Sequence, residues 1–190
     1  MDNDYYSLTA ILSENHKLPC TFALDVPGLG YLEGTDNDLR AGAKLELPMW
    51  LGQTLTLNDF VQFSPPAPFS RRVYAALKAS APSVRLSGFV GTGGWWYRFG
   101  TRIAHMWDNG GDELLQTLLK AFTGRLPPLH DLASHHASLD TTIECGSGTG
   151  EAFRDGMEAD ERDLFSIGQD SGKVVKAWYD TTWGRRERSR

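Results

Sequence analysis

The chain has 190 residues, 41% of them hydrophobic, which is enough for one domain or two small ones with a real core. Acidic residues outnumber basic ones 24 to 19, and a formal net charge of -5 excludes the basic footprint of a dedicated nucleic-acid binder. Two cysteines, Cys20 and Cys145, make no disulfide framework, the acidic start MDNDYY lacks the positive charge of a secretory signal, and no apolar run approaches the ~18 residues of a membrane span, so an intracellular protein with no membrane role is expected.

SLTAILSEN (7–15) reads as a short helix capped by Ser7, with Leu8, Ile11 and Leu12 on one face and Pro19 ending it. CTFALDV (20–26) alternates as a strand, and VPGLG (26–30) supplies the turn of a hairpin to YLEG. A polar turn, GTDNDLRAG (34–42), leads into the strand KLELP. Pro48 then opens a brief helix over MWLGQTL, since proline at a first helical turn lacks only an N–H that is unpaired anyway, and FVQF (60–63) is a last strand.

SPPAPFS (64–70) has the composition of a stiff linker. The fold expected is α+β: a small N-terminal β-rich domain, residues 1–65, followed by a larger α-helical bundle domain, residues 66–190, with a basic C-terminal tail. Beyond the prolines, RRVYAALKAS (71–80) places Val73 and Leu77 on one side and stops at Pro82. Trp96, Phe99, Ile103, Met106 and Trp107 follow one helix face, and DELLQTLLKAF (112–122) repeats the pattern with Leu114, Leu115, Leu118, Leu119 and Phe122. Residues 123–150, with Pro127 and Pro128 early and CGSGTG late, suggest a kinked helix and then a loose loop. A last helix is expected from about Glu151 to about Trp183, with Phe153, Met157, Leu164, Ile167, Val174, Val175 and Trp178 on one stripe. Gly168 and Gly172, poor helix formers, point to close backbone packing there.

The glycine run in SGFVGTGGWWYRFG (87–100) invites a phosphate-loop reading, but tryptophans follow it where Lys-Ser or Lys-Thr is required, and no βαβ setting surrounds it. Gly91, Gly93 and Gly94 fit better as a flexible entry that lets the aromatic helix dock closely. Trp95 and Trp96 lie about 100° apart on a helix and cannot both face a single core stripe, so at least one of them is available for a partner. His130, His135 and His136, with Asp131, Glu144 and Cys145 nearby, match no zinc spacing, though they carry the alternative reading of a metal-dependent hydrolase. DNDLRAG fails as a calcium loop because Arg40 falls at a ligand position. Asp160, Glu161 and Asp163 read as the wet face of a helix, and neither cysteine has an activating neighbour in sequence. The tail RRERSR reads as solvated, with a DNA-brushing or nuclear-import role second. No catalytic group, cofactor or metal is expected. A surplus of large apolar residues on helices remains, and that is the raw material of a permanent protein interface.

The blocks YYSLTAILSENHKLPCTFALDVPGLGYL (5–32), AGAKLELPMWL (41–51), WWYRFGTRI (95–103), LLKAFTGR (118–125) and ADERDLFSIGQ (159–169) occur in the order found in the Psf-three family of the eukaryotic GINS complex, which the chain resembles over most of its length. The resemblance implies a small β-rich domain ahead of a helical one, and a non-enzymatic nuclear subunit of a heterotetramer with the related Psf-type and Sld-type subunits, closest to the Psf-two partner. It further implies a clamp joining the Mcm ring and the Cdc-type RecJ-like protein in the replicative helicase, with DNA contact indirect at most. Pro127 and Pro128 depart from the family, whose helix usually continues there. The residues expected at the assembly or in its supporting core are Trp95, Trp96, Phe99, Leu114, Leu118, Phe165, Ile167 and Trp178, with Leu18, Leu47 and Trp50 holding the β unit.

Overall fold

Leu18, Cys20 and Phe22 alternate into the interior along β1 (Lys17–Phe22), the central strand of a three-stranded antiparallel sheet of order β2-β1-β3. In this computed structural model, residues 6–32, 34, 38–91, 94–138 and 148–187 are described, the side chains of 135–138, 148, 149 and 183–187 excepted. β2 (Lys44–Pro48) pairs Leu47 with Leu18, and β3 (Val61–Phe63) pairs Val61 with Phe22. The expected hairpin from 20–26 to YLEG does not form. Gly28 takes φ +77 and donates its N–H to Asp38 Oδ1, Gly30–Leu32 turn as 3-10, and Val26 bridges Leu39 instead. Glu33 of YLEG and residues 35–37 lie outside the described residues.

The strand also begins earlier than expected, and Pro19 lies inside it rather than ending the first helix. Its carbonyl accepts the Ser64 N–H, so its ring nitrogen faces the same side, where β3 has already stopped at Phe63 and little pairing is lost. The first helix, α1 (Leu8–Glu14), stops at Asn15, whose N–H closes on Ile11 and Leu12. Ser7 makes no side-chain cap, and its hydroxyl meets Thr9. Leu8, Ile11 and Leu12 share a face as expected, but that face is exposed. The helix is held by its polar edge: Glu14 pairs with Arg102 at 2.8 Å and Thr9 accepts from Arg98.

Pro48 closes β2 and caps α2 (Met49–Leu57). Met49 and Gly52 bury against the sheet, Gly52 so closely that a Cβ would lie 3.3 Å from Leu18 Cδ2. That orientation turns Trp50, one residue and about 100° on, out to solvent with 55% of its surface exposed, so Trp50 does not hold the β unit. Leu18 and Leu47 do.

The proline stretch is less linker-like than its composition. Ala67–Phe69 is a 3-10 turn whose Phe69 is buried and stacks on Trp96 at 5.5 Å, and buried side chains from Leu18 to Ala121 form one continuous cluster. α3 (Arg71–Ala79) contributes Tyr74 and Leu77 to it. α4 (Trp96–Met106) contributes Trp96, Phe99 and Ile103, and Gly100 lets Phe69 and Leu118 close in to 2.7 and 3.0 Å of where a Cβ would stand.

α5 runs unbroken over Gly111–Ser138, through both prolines. Pro127 is exposed, and the carbonyls it and Pro128 free belong to Thr123 and Gly124, both exposed residues within reach of solvent. The expected single last helix is two: α6 (Gly148–Asp155), beginning within the stretch expected as a loop, and α7 (Ala159–Glu187), separated by Gly156–Glu158. Arg125 meets Glu161 and Ala133 backs onto Gly168, so α5 and α7 run in the same direction. No helix among the described residues is long and apolar enough to cross a membrane.

Candidate functional site

The break before α7 is held by a buried polar hub. Arg125 points inward from α5 and Glu161 from α7, each only 1% exposed. The guanidinium bonds the carboxylate in fork geometry, Nε to Oε1 at 2.7 Å and Nη2 to Oε2 at 2.9 Å. Its Nη1 also donates to the carbonyls of Ala81 and Val84, both at 2.8 Å, and its Cζ lies 4.7 Å from the centre of the Phe153 ring. Glu161 accepts in addition from the Tyr97 hydroxyl at 2.7 Å and the Glu158 N–H at 3.1 Å. One ion pair thus ties α4, α5, the 81–84 turn and the start of α7 together. Burial, and next the Glu161 carboxylate, push the Tyr97 phenol far above its ordinary range, so it stays a donor.

Glu161 is therefore no part of a wet face. The reading was right for Asp163, which is exposed, while Asp160 pairs with Arg98 at 3.2 Å near the surface. Glu158, fully buried, accepts the N–H of Trp96 at 2.9 Å and of Asp160 at 2.9 Å, joining the N-termini of α4 and α7. Gly94 (φ +72) makes room: a Cβ there would meet Ala159 at 3.3 Å and Glu158 Oε1 at 3.5 Å. The close-docking role expected of the glycines thus holds at Gly94; Gly93 lies outside the described residues.

Burial raises the Glu158 carboxyl above its usual range, against the pull of the backbone donors. The native state then holds a proton that the unfolded chain has already lost, so stability falls as pH rises from about 4.5 through the folded value. Glu158→Gln, urea-unfolded across that window, is expected to be less stable overall and to lose this part of the pH slope; an unchanged slope refutes the assignment. Burial also pushes the Cys20 thiol up to about 11, which leaves it a poor nucleophile.

Above the hub lies an apolar surface. Leu164, Ile167, Val174, Val175 and Trp178 share a stripe of α7 as expected, yet all are exposed, Ile167 by 65% and Trp178 by 58%. Phe165, on the adjoining stripe, and Met157, in the break before α7, are buried against Leu129 and Ala133. Among the other anticipated residues, Trp96, Phe99, Leu114 and Leu118 are core. Trp95 is half-buried at φ +68, with Arg98 5.3 Å above its ring. The side chain of Trp183 lies outside the described residues.

Among the described residues, no three His, Cys, Asp or Glu side chains gather as a metal site. His130 is exposed on α5; the side chains of His135 and His136, together with Glu144 and Cys145, lie outside the described residues, and of the tail RRERSR only the backbone of 185–187, the end of α7, is described.

Arg125 and Glu158 escaped the sequence reading, and Glu161 was placed on a wet face instead of in the interior. Their signal was position. Arg125 continues the buried α5 stripe of Leu114, Leu118, Ala121, Leu129 and Ala133, and Glu161 lies between Met157 and Phe165. A charge on an apolar stripe marks a buried pair.

A small sheet, a helical bundle locked by a buried ion pair, and an uncovered apolar helix face define a helical α+β protein with a surface suited to other protein chains. A family model described as the PSF3 N-terminal domain matches residues 6–57. The chain is 35% identical over 183 residues to the DNA replication complex GINS protein PSF3 of Phaeosphaeria nodorum, covering 93% of this chain and 96% of that protein. It is 32% identical to the GINS protein psf3 of Aspergillus fumigatus, over 92% of this chain and 95% of the relative. It is also 32% identical to that of Schizosaccharomyces pombe, over 94% and 99%. The chain belongs to the PSF3 family of DNA replication complex GINS proteins.

Proposed function

We propose that the chain is a non-catalytic subunit of the heterotetrameric GINS complex, acting in DNA replication in the nucleus. In this reading it helps join the Mcm ring and the Cdc-type RecJ-like protein in the replicative helicase, its β-rich unit (1–65) docking on one neighbour and its helical unit (66–190) packing beside others. The names of its relatives support membership of the complex. The observation that carries the assembly reading is the α7 face, where Ile167 and Trp178 stand more than half exposed on a helix that packs against α5 only near its start, through Glu161, Phe165 and Gly168.

Expressed alone, the chain is expected to be poorly soluble and to aggregate except at high dilution, where its unfolding can be followed; co-expressed with its three GINS partners, it should elute as a defined complex. Ile167→Asp and Trp178→Asp touch no core, so they should leave helical content unchanged while removing the chain from that complex. A monodisperse monomer with a sharp thermal transition, or full complex formation by both variants, overturns the reading.

A further inference from the structure

In the order β2-β1-β3, β2 is an edge of the sheet and pairs with β1 alone. The Met49 N–H reaches the His16 carbonyl and the Ala43 carbonyl accepts from Phe22, so the odd-numbered residues from 43 to 49 turn their backbone groups toward β1. Lys44 and Glu46 therefore turn theirs outward, and no hydrogen bond meets them among the described residues. Leu45 between them is half-buried against the core, while Lys44 and Glu46 are exposed. Charge of one sign on such a rim keeps other strands away. Here the signs alternate. A two-fold axis through Leu45 sets Lys44 opposite Glu46 of a second copy and Glu46 opposite its Lys44, each pair exchanging both N–H···O bonds of an antiparallel ladder. Leu45 then meets its own counterpart at the axis. The contact of Glu46 with Lys17, at 3.7 Å between two well-exposed side chains, is loose enough to be shared. The other edge, β3, spans only Val61–Phe63 and carries no charge to select a partner.

We infer that β2 is a self-association edge: a second copy of this chain, carried by a second complex, adds its own β2 antiparallel about Leu45 and joins the two sheets into one. The pairing uses the same edge on both copies, so it closes at two. It is short, which makes the association weak and dependent on concentration. A helix fits less well, because what this edge leaves open is backbone. The edge belongs to the β-rich unit and makes no use of the α7 face.

The test follows the full chain, co-expressed with its three partner subunits, by sedimentation velocity over a rising concentration series, with circular dichroism as the check on folding. The parent complex is expected to shift reversibly toward twice its mass. Lys44→Glu and Glu46→Lys each set like charges opposite one another, and each alone is expected to self-associate at least about tenfold more weakly. Mixed together, the two are expected to associate again, because an acidic edge then faces a basic one. The swap Lys44→Glu with Glu46→Lys is expected to behave as the parent does. If the parent keeps a single mass throughout, no second copy docks and the inference falls. It falls too if the parent doubles and both single variants double equally well, since the contact then lies elsewhere. Folded variants that stay apart on mixing overturn the antiparallel register about Leu45. Where a single variant misfolds, the swap decides, and a swap that no longer doubles overturns the pairing.

Discussion

Arg125→Ala is expected to cost about 3–5 kcal/mol of stability, a large share of the ~5–15 kcal/mol that holds a typical domain. The charge of Glu161 would stay behind in a site with 1% exposure, facing only the Tyr97 hydroxyl and the Glu158 N–H. The carbonyls of Ala81 and Val84 would lose their shared donor at the same time. Removing both charges, as in Arg125→Met with Glu161→Met, should recover part of the loss, since a buried pair is often replaceable by apolar volume. Recovery should stop short because those carbonyls and the Tyr97 hydroxyl remain unmatched. By contrast Asp160→Ala, which breaks the partly exposed pair with Arg98, should cost no more than about 1 kcal/mol. Urea unfolding of the set checks the order. A loss below that of Asp160→Ala for Arg125→Ala would mean that the hub fills space without holding the helices.

The same hub bears on the assembly surface. Glu161 lies one turn before Phe165 and two before Gly168, the residues that seat α7 against α5, and Ile167 and Val174 project from the stripe beside them. Loosening Arg125 therefore shifts the platform on which the docking face stands. Complex formation by Arg125 variants is expected to decline alongside their stability, whereas Ile167→Asp separates the two.

Periodicity along the chain showed which residues of α4, α5 and α7 are apolar and in step, but could not show which stripe faces inward. Met157 and Phe165 go to the core, while Leu164, Ile167 and Trp178 obey the same 3.6-residue spacing and face water. Only the position of α5 separates them, and that is a long-range fact. The strands expected at KLELP and FVQF form, but the expected hairpin to YLEG failed for a related reason. β1 finds its partners at Lys44–Pro48 and Val61–Phe63, so the local turn signal of VPGLG was overridden by pairing across more distant sequence. Pro127 and Pro128 leave the helix expected there in place, the carbonyls they free belonging to exposed residues. Glu161 was hidden by its acidic neighbours Asp160 and Asp163, a charge run being the ordinary sign of an exposed face.

The adjacent tryptophans give the sharpest remaining contrast. Trp96→Ala is expected to cost about 3–5 kcal/mol and Trp95→Ala about 1 kcal/mol or less. Trp96 is fully buried, stacked on Phe69 and meeting Tyr97 edge-on at 5.0 Å, so deleting it opens a cavity among rings that cannot all collapse inward. Trp95 sits before the first turn of α4 in left-handed backbone and loses only partial burial and the contact with Arg98. Trp95→Gly should do better than Trp95→Ala, since glycine relieves the φ of +68 that any side chain there must bear. Urea unfolding distinguishes the cases, and measuring it on the assembled complex adds a second reading. If Trp95 contacts a partner subunit, Trp95→Ala will weaken assembly beyond its small effect on the chain alone; if it does not, the two losses will match, and the half-buried tryptophan is a cap over Arg98 and nothing more. A larger loss for Trp95 than for Trp96 in the isolated chain would reverse the packing of α4 and with it the placement of the Glu158 cap.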